Sequence, residues 1–145
     1  MINKIITGIA QGIDKEFNKQ EKYTIYTESI EQGFDEPCFS IFSLTPINTQ
    51  LVGNRYKREY SFDIQYFSEN KEINNNEING VVERLFSSLE YITVDNSLLR
   101  GTNMNAEVVD KVLHFFINFN MIVKKQIEKA ETMNNLDTIV KLGGR

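Results

Sequence analysis

The sequence predicts a single α+β domain whose strands, two of them unusually long, are packed by two amphipathic helices. Three observations carry that expectation. Arg55 to Phe67 alternates strictly between apolar or aromatic and polar side chains, the period of a half-buried strand. Lys111 to Lys125 holds a continuous apolar face of Leu113, Phe115, Ile117, Phe119, Met121 and Val123, again at every second residue. Elsewhere apolar residues recur at three- and four-residue steps, the spacing of a helix that buries one stripe.

The first helical stretch spans about residues 2 to 18, with Ile2, Ile5, Ile6, Ile9, Ile13 and Phe17 on one side and Lys4, Gln11, Asp14 and Lys15 on the other. Gly8 and Gly12 weaken this helix by up to ~1 kcal/mol each, a cost that close packing against another element would explain. Two short strands are expected next, Tyr23–Thr27 and Cys38–Leu44, separated by an acidic loop. Pro37 stands at the mouth of the second, where its missing N–H does no harm. Thr45–Gly53 reads as a further loop before the alternating strand.

On that strand Tyr56, Arg58, Tyr60, Phe62, Ile64 and Tyr66 share one face, with Arg58 the misfit, and Arg55, Lys57, Glu59, Ser61, Asp63 and Gln65 share the other. A second helix covers about residues 74–90 through Ile78, Val81, Val82, Leu85, Phe86 and Leu89. Asn74 to Asn76 supply its N-cap. Asn79-Gly80 is a hairpin signal, but the helical period runs through it on both sides. A turn-rich stretch with Asp95-Asn96 and Arg100-Gly101 leads to a short strand at Met104–Val109 and then to the long apolar run. The domain is taken as 1–130, with 131–145 as a tail or arm.

The chain has 145 residues, is 41% hydrophobic and 25% charged, and contains two prolines, which is ordinary globular composition. A net charge of −4 argues against a dedicated nucleic-acid binder. The single cysteine, Cys38, excludes an internal disulfide framework and suits a reducing compartment. No window approaches the ~20 apolar residues that cross a bilayer, and polar residues interrupt Met1–Ile13 too often for a signal peptide.

Chemistry is sparse. One histidine, His114, and one cysteine cannot make a His-rich or Cys₄ metal site within one chain. His114 stands mid-strand beside Phe115 and Phe116, and Cys38 beside Pro37 and Phe39, so both read as structural. The glycines form neither a P-loop nor a dinucleotide fingerprint, and the acids from Glu28 to Glu36 lack EF-hand spacing. Arg55, Lys57 and Arg58 interleave with Tyr56 and Tyr60, a pattern able to grip phosphate and stack bases. Yet Arg58 points opposite to Arg55 and Lys57, and Glu59 sits among them, so cross-strand ion pairing on an exposed face is the preferred reading.

Strand length adds a constraint. At ~3.3 Å per residue, fifteen residues span about 50 Å and thirteen about 43 Å, against a diameter of roughly 40 Å for a compact domain of this size. Such strands must curl, break at a bulge, or project and be covered by a partner.

Three segments together resemble a family: Glu36-Pro37-Cys38-Phe39; Gly53-Asn54-Arg55-Tyr56-Lys57-Arg58 running into Tyr60-Ser61-Phe62-Asp63-Ile64; and Val112-Leu113-His114-Phe115-Phe116. In this order and spacing they are similar to tail terminator (tail completion) proteins of contractile-tailed phages, prophages and phage-tail-like bacteriocins of Gram-positive bacteria. The opening helix, Ile25-Tyr26-Thr27 and the Leu99-Arg100-Gly101 turn fit as well. The resemblance implies a curved, mainly antiparallel mixed sheet with helices on it, and a non-enzymatic virion protein without cofactor or metal.

It further implies a ring, typically of six subunits, that caps the tail tube, stops its polymerisation and offers a docking surface to the head or neck. The implied partners are further copies of the chain, the tube and possibly the sheath, and a neck or head-completion protein. DNA would cross the lumen without specific binding, and no membrane is involved. The implied location is the head-proximal end of the virion tail, assembled in the bacterial host cytoplasm. The candidate assembly residues are Arg55, Tyr56, Lys57, Arg58, Tyr60, Arg100, His114 and Phe116. Two alternatives stay open: another neck, head-closure or minor tail connector, and a nucleic-acid-binding accessory protein.

Overall fold

The structure is a computed structural model that describes residues 1–28, 33–72 and 74–126. The expected 131–145 tail lies outside the described residues. The elements run α1 (Ile2–Phe17), β1 (Thr24–Tyr26), β2 (Cys38–Ser43), β3 (Ile47–Gln50), β4 (Arg55–Phe67), α2 (Asn75–Ser88), β5 (Tyr91–Val94), β6 (Ser97–Val109) and β7 (Val112–Lys124). The strands form one curled mixed sheet in the order β1-β2-β4-β7-β6-β5, with β3 also paired to β4. Among the described residues only β1–β2 is parallel, and the other ladders are antiparallel. The α+β expectation holds.

Both helices cover one face of the sheet. From α1, Ile5, Ile9, Ile13 and Phe17 are buried against Phe39, Phe62, Ile64 and Phe115 of the strands and Val81 and Leu85 of α2. Close packing does account for the α1 glycines: a Cβ on Gly8 would stand 3.0 Å from the Thr93 carbonyl oxygen, and one on Gly12 3.2 Å from a Leu89 methyl. At the start of α2, the Asn74 side chain accepts from the Glu77 N–H at 3.2 Å, a cap worth ~1 kcal/mol. Gly80 lies inside the helix and nothing crowds it.

Three expectations need correction. Thr45–Gly53 is not all loop, since Ile47–Gln50 is a strand on the edge of β4. All four residues are exposed, so no apolar alternation marks it. The strand expected at Met104–Val109 begins at Ser97 and pairs with a short β5 in a hairpin turned by Asp95 and Asn96, both at positive φ. Arg100-Gly101 is therefore strand, not turn. Gly101 is required by proximity, because a Cβ there would stand 2.5 Å from the Leu89 carbonyl oxygen where the end of α2 crosses β6, and its N–H donates to the Glu90 carbonyl at 2.8 Å. A bulge between Thr102 and Asn105 then bends β6 around β7.

At the junction of sheet and α2, Glu77 accepts from the Tyr66 hydroxyl, the Ser68 hydroxyl at 2.8 Å and the Asn70 amide at 2.9 Å. Burial alone works to raise the Glu77 pKa, but the bonds from Tyr66, Asn70 and Ser68 outweigh it and hold the carboxyl below its ordinary value. Burial and the facing Glu77 push the Tyr66 hydroxyl up. A lowered folded pKa contributes stability that is complete above the unfolded value and is lost as pH falls through the folded one. In Glu77→Gln, stability measured by urea denaturation is expected to decline less steeply than in the parent between about pH 5 and pH 3.

Candidate assembly surface

The long strands outrun the body. Burial along β4 stops at Tyr60 and along β7 at Phe119; Arg55–Glu59 and Asn120–Lys124 contain no fully buried side chain. Beyond that point β3, β4 and β7 continue as a three-stranded ribbon, held by the ladders from Ile47–Glu59 to Gln50–Tyr56 and from Glu59–Asn120 to Arg55–Lys124. Five residues carry it about 17 Å past the core. Ile47, Leu51, Val52 and Ile122 are exposed on it, Val52 at 83%.

The two faces of the ribbon differ. Tyr56, Arg58, Met121 and Val123 continue the helix-covered face, where Arg58 Nε donates to Asn48 Oδ1 at 3.2 Å. Arg55, Lys57, Ile122 and Lys124 lie on the helix-free face. Arg55 stands directly opposite Lys124, a like-charge pair that disfavours the isolated ribbon. Nearby, Lys57 approaches Glu59 only to 3.9 Å.

Farther along the helix-free face, His114 Nδ1 sits 2.9 Å from Asp63 Oδ2, and Gln65 donates to the same oxygen at 3.0 Å. The His114 ring stacks on Phe116 with centroids 6.2 Å apart. The pair ties the two central strands together. Phe34, from the loop before β2, bridges Tyr26 and Phe67, whose ladder partners Ser40 and Cys38 are buried. Burial, helped by Glu36 and Asp35, pushes the Cys38 thiol up to about 11, which suppresses the thiolate and leaves it a small apolar side chain.

The sequence-derived candidates are thus divided. Arg55, Tyr56, Lys57 and Arg58 share the ribbon but on opposite faces, and Tyr60 is core at 7% exposure. Arg100 is exposed on β6 just before that strand joins β7. His114 and Phe116 lie mid-sheet on the Arg55 side. Sequence reading missed Ile47, Asp63 and Lys124; the period-2 parity of β4 and β7 places Asp63 and Lys124 on the helix-free face, but nothing marks Ile47.

Among the described residues no group of three or more His, Cys, Asp and Glu is placed to hold a metal. A shallow open concavity is lined by Asn70, Lys71, Glu72 and Asn74 to Asn76. No described helix is long and apolar enough to cross a membrane.

An overhanging ribbon with exposed apolar side chains and open strand edges defines a protein that assembles with others. The chain belongs to the phage tail terminator protein family, whose sequence model matches residues 4–131. Comparison with curated proteins finds no match. Membership makes it a structural tail-completion protein, a component of the virion tail that works against other tail components, in a family that is not an enzyme class.

Proposed function

We propose that the chain forms a ring, six-membered as the family resemblance implies, that caps the tail tube, ends its polymerisation and presents a docking surface for the neck or head-completion protein. The setting is the head-proximal end of a contractile tail in a phage, prophage or tail-like particle of a Gram-positive bacterium, assembled in the host cytoplasm. The observation that carries this reading is the ribbon. It leaves apolar side chains and strand edges uncovered in one copy, and a ring of heterologous contacts covers them and closes without a free end. DNA crosses the lumen without sequence-specific contacts.

The test is negative-stain microscopy with native mass spectrometry of the purified chain, alone and with tail tubes. Rings at tube ends and halted elongation are expected; a strict monomer that never engages a tube overturns the reading.

The Arg55–Lys124 pair favours one other reading, binding to nucleic acid through the basic side of the ribbon. That reading requires DNA affinity that weakens steeply with salt and weakens further in Arg55→Ala.

A further inference from the structure

Among the described residues two strand edges of the ribbon are open, and they lie on opposite sides of it. On one side, the β6–β7 ladder ends at Gly101–Phe119, so β7 from Asn120 onward has no strand partner among the described residues. On the other, β3 pairs only with β4 among the described residues. The ladder alternation fixes which backbone groups are left over. Lys125 N–H donates to the Asn54 carbonyl, so the N–H and C=O groups of Asn120, Ile122 and Lys124 turn away from β4. Leu51 N–H donates to the Arg55 carbonyl, so those of Asn48 and Gln50 turn outward from β3.

We propose that β3 of one copy adds in parallel to the open β7 edge of the next copy, joining the ribbons into one continuous belt. The inference rests on the ring reading and names its contact. β3 and β7 are both antiparallel to β4 and hence run the same way. Copies related by rotation about an axis along the strands keep that direction, so the junction is parallel. Parallel strands normally need a crossover connection, and strands from separate chains need none.

Two side-chain observations fit the same occupant. Ile47 and Ile122 are 51% and 59% exposed, one at each edge, on the same helix-free face. A junction without stagger sets Thr49 beside Ile122 and Ile47 beside Asn120, and a two-residue stagger sets the two isoleucines side by side. Asn120 Oδ1, at the start of the β7 edge, is buried without a hydrogen-bond partner, and an added strand brings donors to it. A single segment laid along the β7 edge would leave β3 open. One junction between copies satisfies both.

The experiment is disulfide trapping of the full-length chain capped on tail tubes. Ile122→Cys is combined with Ile47→Cys, and separately with Thr49→Cys, since the stagger between copies decides which is adjacent. Under mild oxidation at least one double variant is expected to give a ladder of multimers up to ring size on a non-reducing gel, while each single variant stays monomeric. Gln50→Pro, which removes an outward N–H and leaves the β4 ladder intact, is expected to keep the parent circular dichroism and cap at least tenfold fewer tubes.

Dimers of Ile122→Cys alone indicate β7–β7 pairing and overturn the proposal. So does a cross-link that appears only after the chain is shortened past Gln126, which means that its own C-terminal residues held the edge. Wild-type rings without any cross-link, together with normal capping by Gln50→Pro, remove the edge pairing and leave the ring. Absence of wild-type rings removes both.

Discussion

Gly101→Ala is expected to lower the melting temperature by about 10 °C, the shift for a loss of about 3 kcal/mol in a chain of this size. A Cβ at this position would fall 2.5 Å from the Leu89 carbonyl oxygen and 2.6 Å from the Ile117 Cδ1 methyl. The methyl can rotate; the carbonyl belongs to the C-cap of α2 and cannot. Nor can the strand withdraw, because Gly101 N–H is bonded to Glu90 O and Gly101 pairs with Phe119. Relief therefore requires moving α2 off the sheet. Thermal melts followed at 222 nm check this, with Gly80→Ala as the control. Gly80 has open space around it in a helix interior, and alanine there is expected to stabilise by up to ~1 kcal/mol.

Phe17→Ala is expected to cost about 4 kcal/mol, in the middle of the range for a buried aromatic ring. Phe17 is the last residue of α1 and 1% exposed, and three elements meet on it. Its ring packs edge-on against Phe39 of β2 at 4.7 Å and Tyr23 at 5.3 Å. On another side, the Arg84 guanidinium of α2 lies 4.1 Å from its centroid. Arg84 is itself held by Glu16, through Nε at 3.2 Å and through the main-chain carbonyl at 3.0 Å. Removing the ring opens a cavity and leaves the cation without its aromatic face. Urea denaturation is the check. Phe17→Leu, which keeps most of the volume and loses the quadrupole, is expected to lie between parent and alanine variant.

The elements that bury one face were legible because their side chains report that face. β4 has the very bounds that strict alternation gives, and α1 and α2 follow their apolar periods. β3 and the first half of β6 were not, because side chains mostly exposed on both faces carry no alternation to read. Gly101 was taken for a turn glycine; the need for it comes from a helix carbonyl that arrives from twelve residues earlier in the chain. For the assembly surface, parity on β4 correctly separated Arg55 and Lys57 from Arg58. The Asp63–His114 contact needed the β4–β7 register, and a slip of one residue would have sent the two side chains to opposite faces. Length alone left curling, a bulge or projection open for β4 and β7; which of these holds is read from the burial that ends at Tyr60 and Phe119.

The antiparallel run of β4 and β7 also gives the molecule unlike poles. At the ribbon pole stand Arg55, Lys124 and Lys125 with the apolar tip of Leu51 and Val52. At the other, where β4 ends and the β6–β7 turn lies, Asp35, Glu36, Glu69, Glu107 and Asp110 outnumber Lys71 and Lys111. A body built this way has a direction. In a ring whose axis follows the strands, every copy points the same way, so one rim is cationic and greasy and the other anionic. If the proposed ring stands between two axial neighbours, it cannot be turned over without mismatching both, and the two surfaces that it would join are expected to differ in charge.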